Sequence, residues 1–175
     1  MTAANQEDDH GRAESADFIA ALDKQRDFLR QTTNGMTDDQ ARLRPTASAL
    51  CLGGILKHVT RVEERWVRFI DDGAAAMAFD ASSLQSHLQS FEMLPDETLD
   101  GLLAAYTEVA RRTDERIGAL DSFDATQALP EAPWFEPGGR WSARRVLTHI
   151  LAETAQHAGH ADIIREAIDG AKTMG

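Results

Sequence analysis

An internal disulfide is closed to this chain, because its 175 residues include a single cysteine, Cys51. A bridge within the chain needs two thiols, so no oxidised framework holds the fold together. Positive charge is also scarce. Eighteen Lys and Arg face 29 Asp and Glu, for a net charge of −11. Such a surface repels phosphate backbones and anionic bilayers, which excludes nucleic acid and membrane as expected partners. No apolar run approaches the ~20 residues that span a bilayer. The opening MTAANQEDDHGRAES has no basic stretch followed by an apolar one, so it does not read as a secretory leader, and a cytoplasmic protein is expected. There is no P-loop, no GxGxxG, no HExxH and no pair of Glu-x-x-His motifs. The Gly53-Gly54 pair opens a helix and makes no phosphate loop.

What the chain does have is helical periodicity. With 42% hydrophobic and 27% charged residues it reads as one globular domain. Residues 1–14, which include His10, read as a flexible tail, 15–170 as the domain and 171–175 as a second short tail. From about Ser15 the spacing Phe18, Leu22, Gln25, Leu29, Thr32 marks one face of a helix that stops at Asn34-Gly35. Thr37 caps one or two short turns that Pro45 breaks. A second long helix starts near Ser48, carries Leu52, Ile55, Val59, Val62, Trp66 and Phe69, and closes at Asp71-Asp72-Gly73. Residues 73–95 read as a long connection with a short helix around 83–89. A third helix runs from about Asp96 to Leu120. The prolines and glycines of 121–140 make a loop. Trp134 and Phe135 in that loop read as capping the core, with the mouth of a pocket as the other assignment. Ser142 then caps a fourth helix that reaches Asp169, with Gly170 as its stop. No stretch alternates as a strand should. The expected fold is all-α: a four-helix bundle with long connections.

The fourth helix breaks the pattern. Stepping by four and three from Val146 gives Ile150, Glu153, His157, His160, Ile164 and Ala167. The ends of this stripe are apolar and its middle is not. A buried carboxylate without a partner is costly, so such groups are kept where something pairs with them. A divalent metal is one such partner, and ligands four apart on a helix can reach one ion. His58, between Ile55 and Val62 on the second helix, offers a third donor. His58, Glu153 and His157 form a His₂-carboxylate set that leaves coordination positions open, the pattern of catalytic sites. The alternative is a core histidine and a helical ion pair of a few tenths of a kcal/mol. His160 is a candidate to support a ligand from behind. His149 lies off the stripe, and His87 falls in the weak connection. Cys51 is about 10 Å along the helix from His58, too far to share a metal, and reads as a small buried residue.

LGGILKHVTRVEERW (52–66) and SARRVLTHILAETAQHAGHADIIREAIDG (142–170) resemble the DinB-like superfamily. Within it they are most similar to the branch of mycothiol-dependent maleylpyruvate isomerase and the mycothiol S-transferases, over about residues 15 to 170. The resemblance implies a four-helix bundle with a metal site at one end. Its ligands are a histidine on the second helix and a pair four apart on the fourth. Many members carry His-x-x-x-His there, whereas the mycothiol branch carries Glu-x-x-x-His. His58, Glu153 and His157 match position by position. His160 falls where many relatives have glutamine. The resemblance implies zinc as the metal, with nickel or iron in other members. The isomerase carries a second, C-terminal domain that contributes to its active site, and this chain stops at Gly175. The expected activity is therefore that of a single-domain thiol transferase.

A thiolate is the nucleophile, and zinc coordination deprotonates a thiol outright. The expected substrates are a low-molecular-weight thiol such as mycothiol and an electrophilic small molecule. Cys51 is not needed as nucleophile. The rival readings are a hydrolase using metal-activated water and a non-catalytic metal-binding bundle. The oligomeric state is left open, and a homodimer is compatible with such folds.

Overall fold

The computed structural model describes residues 3–77 and 89–173, with side chains from residue 11 onward. Four long helices form the bundle: α1 (Ala3–Gln31), α3 (Leu52–Asp72), α4 (Leu99–Gly118) and α5 (Ala143–Asp169), with the short α2 (Asp38–Arg42) after α1. Both α1 and α3 pack against α4 and α5, which puts α1 and α3 at opposite corners. A 3-10 turn, Gly73–Met77, follows α3. The 83–89 helix, apart from Gln89, and His87 lie outside the described residues.

Capping fixes the helix boundaries. Thr37 and Gln40 form a reciprocal capping box on α2. Gly73 ends α3 at φ 58°, a conformation that side chains disfavour. Three starts differ from the sequence reading. α1 begins at Ala3 rather than near Ser15, because its first turns carry no apolar stripe by which to read them. α3 begins at Leu52, capped by Cys51, while the Ser48 hydroxyl accepts from Leu50 N in a preceding turn. α4 begins at Leu99 and is capped by Thr98. The connection before α5 also holds a small antiparallel hairpin, β1 (Thr126–Ala128) with β2 (Arg140–Ser142). Its three-residue strands are too short to show alternation in sequence.

The core has two apolar halves. One gathers Leu29, Ile55, Leu56, Val59, Tyr106 and Ile164. The other gathers Leu22, Trp66, Phe69, Ile117, Val146 and Ile150. Between them lies a polar layer of Arg26, Glu63, Thr113, Thr154 and His157, all buried. The buried line of α1 therefore runs through Arg26, not Gln25, which is only half-buried. Arg26 reaches across the bundle to Glu63, and its Nη1 also donates to Asp23 at 2.8 Å and Asp114 at 2.9 Å. Burial opposes the charge of this guanidinium, but Glu63 and Asp114 outweigh burial and hold its pKa above the ordinary arginine value.

Candidate metal centre

The seam between α3 and α5 carries the site. Ser142 starts α5 by accepting from Arg145 N, and Gly170 ends it in the left-handed region at φ 79°. This phase turns Val146, Ile150, Thr154, His157, Ala161 and Ile164 into the bundle, with Glu153 beside them and half-buried. Two stripe positions shift by one residue: Ala161 is buried beside the half-buried His160, and Ile168 packs on the core while Ala167 is exposed. A half-buried His58 faces this seam from α3.

The structure brings His58, Glu153 and His157 together, with one ligand atom from each lying within 4.8 Å of the others. Glu153 Oε2 is 3.7 Å from His58 Nε2 and 3.7 Å from His157 Nε2. Around a tetrahedral ion with bonds of ~2.0–2.1 Å, neighbouring donors stand about 3.3 Å apart. Glu153 stands only slightly farther than that from each imidazole, so the donor types and spacing of these residues fit a divalent ion. The other oxygen, Glu153 Oε1, points to His149 Nε2 at 4.0 Å. His157 Nδ1 faces His160 Nδ1 at 3.5 Å, and a hydrogen bond there would occupy Nδ1 of His157 and leave its Nε2 toward Glu153.

The electrostatics favour metal-ready protonation states. Burial, helped by nearby His58, pushes the His157 pKa down to about 4, so the ring is neutral at pH 7. The His58 imidazole, opposed by burial and helped by His149 and His157, holds the Glu153 carboxyl below its ordinary value. Burial also lowers His149.

Two parts of the site were not visible in the sequence. Phe91 stacks on His58 with ring centroids 3.9 Å apart and lies 5.7 Å from His157. It belongs to a chain segment that crosses the first turn of α3. A Cβ on Gly54 would meet Phe91 O at 2.0 Å, and one on Gly53 would meet Met93 Sδ at 2.4 Å. Gly53-Gly54 was the available signal, since paired glycines inside a helix mark close approach of another backbone. The second part is an aromatic cluster around His149. Its ring stands edge-on to Trp66 at 4.9 Å and to Trp141 at 5.3 Å. Phe135 packs edge-on against both tryptophans. Trp134, read as a core cap, is instead 71% exposed, because Phe135 takes the inward position of the loop. Cys51 is buried, and its Sγ accepts from Gly54 N at 3.4 Å.

An all-α bundle with a His₂-carboxylate cluster on its inner seam is the architecture of a DinB-like protein. The family model for mycothiol S-transferase matches residues 17–170, and the chain belongs to that family. A crystal structure described as the conserved protein of a locus from Enterococcus faecalis shares the fold. The TM-score is 0.62 at 15% identity, over 88% of this chain and 96% of that one. No curated protein matches the chain in sequence. Among the described residues no helix is long and apolar enough to cross a membrane.

Proposed function

We propose that this protein is a metal-dependent thiol S-transferase, with zinc as the metal and a low-molecular-weight thiol such as mycothiol as one substrate. The observation that carries the reading is the convergence of His58, Glu153 and His157 on one point of the α3–α5 seam. Membership of the mycothiol S-transferase family supports it. His58, Glu153 and His157 would hold the ion, and a divalent ion there lowers the pKa of a thiol so that thiolate is present at neutral pH.

The chain's own residues supply the rest. Glu153 contributes one negative charge, so the donor set is less positive than three histidines and leaves the thiolate more nucleophilic. Neutral His157 offers Nε2 while His160 holds its other nitrogen. Phe91 covers the His58 ring and keeps water from that side. Transfer joins sulfur to an electrophilic carbon. The leaving group departs with the bonding pair, and the thiol proton ends in solvent.

The test is turnover of iodoacetamide by zinc-loaded protein with and without added thiol. Thiol-dependent loss of iodoacetamide, above the rate of the free thiol and abolished in Glu153→Ala, is the expected result. Turnover of an electrophile without any thiol overturns the reading in favour of metal-assisted hydrolysis.

A further inference from the structure

Arg145 lies in the first turn of α5 and is exposed. Its neighbour Arg144 is held by two carboxylates, Glu14 and Asp124. Arg145 has none: among the described residues its guanidinium has one contact, the face of Trp141, 4.3 Å from the ring centroid. Its position is also well defined. Trp141 stacks on Trp66 at 4.6 Å with 16° between the planes, and its backbone pairs with Gln127 across the hairpin. The guanidinium therefore rests on a rigid aromatic floor, with its donors free.

The same floor leads to the candidate metal centre. His149, one turn beyond Arg145, touches Trp141 at 5.3 Å and reaches to 4.0 Å from Glu153 Oε1. Arg145, Trp141, His149 and Glu153 thus form an unbroken line of contacts. Along the helix the span from Arg145 to Glu153 is about 12 Å between backbone positions, and an acceptor held at Arg145 would lie along the Trp141 and His149 rings to reach the cluster. A molecule of net charge −11 repels anions at long range, so an anionic substrate needs a local cation to hold it.

We propose that Arg145 is a specificity-determining residue. It anchors the carboxylate of an anionic acceptor and directs the electrophilic carbon of that acceptor toward the His58, Glu153 and His157 cluster. The inference rests on the transferase reading for the identity of the second substrate. Guanidinium–carboxylate pairing supplies the recognition.

Titration of the zinc-loaded full chain with benzoate and with its neutral analogue benzamide, followed by tryptophan fluorescence, tests it. Wild type is expected to bind benzoate roughly tenfold tighter than benzamide, the scale of one charge-assisted hydrogen bond. Arg145→Gln is expected to remove that preference at unchanged helicity and zinc content, and Arg145→Lys to keep part of it. Equal affinities in wild type, or a preference that survives Arg145→Gln, overturn the proposal. In turnover, Arg145→Gln should lower kcat/KM for iodoacetate and spare iodoacetamide, and equal loss for both contradicts it. The titration contains no thiol. A chain that discriminates benzoate through Arg145 but alkylates no thiol keeps the anion site and loses the transferase reading.

Discussion

His157 is the side chain whose surroundings most constrain its chemistry. Burial and His58 push its pKa to about 4, against an ordinary value of 6.5. Between those values the unfolded chain binds more protons than the folded one, so stability rises with pH across the window. His149 and Glu153 are also lowered and act in the same direction. Metal-free protein is therefore expected to lose thermal stability as pH falls from 6.5 toward 4, as followed by circular dichroism melts. A Tm that stays flat or rises on acidification contradicts these environments. Behind His157, His160 is expected to act through its contact with His157 Nδ1. His160→Ala should weaken zinc binding by ~10–100-fold, the range for groups that orient a ligand, without unfolding the bundle. Competition with a chelating dye measures it.

At the scale of elements, the seam depends on how closely segment 89–94 lies on α3. Gly54→Ala would drive a methyl into the Phe91 carbonyl. The segment must then lift, taking Phe91 off His58, and weaker zinc binding with a lowered Tm is the expected outcome. Ala substitution at Gly159, where nothing lies within 4 Å of an added Cβ, is the control and should be silent or slightly stabilising. The long helices were legible in the sequence because three-and-four spacing is a direct imprint of a buried face. So were Glu153 and His157, as polar interruptions of that spacing, and His58, as a polar residue at its edge. Phe91 was not legible, since it sits in an irregular segment whose position is set by contact with α3. Nor was the aromatic cluster, since the hairpin that seats Trp141 is too short to carry a pattern. Arg26 escaped for a different reason. A search for apolar stripes passes over a charged residue, and its partners Glu63 and Asp114, on other helices, make its burial tolerable.

For the whole molecule, the Arg26–Glu63 layer divides one core into two and sets the relative height of opposite helices. Tyr106 lies in the same bundle interior with its hydroxyl unpaired among the described residues. Removing Arg26 leaves the fully buried Glu63 carboxylate stranded, so Arg26→Met is expected to cost about 3–5 kcal/mol in urea unfolding. Replacing both residues with methionine should recover much of that loss. If the single variant is as stable as wild type, the layer does not hold the bundle in the way described. This layer ties α1 to α3, the helix that holds His58, and α5 packs against both with Glu153 and His157. The central claim is that these three residues bind one divalent ion per chain. Metal analysis of protein purified without added chelator tests it most directly. The account expects about one zinc, nickel or iron per chain in wild type and its loss in Glu153→Ala at unchanged helicity. Wild-type protein without metal that cannot be loaded with zinc, or Glu153→Ala retaining a full complement, would contradict it.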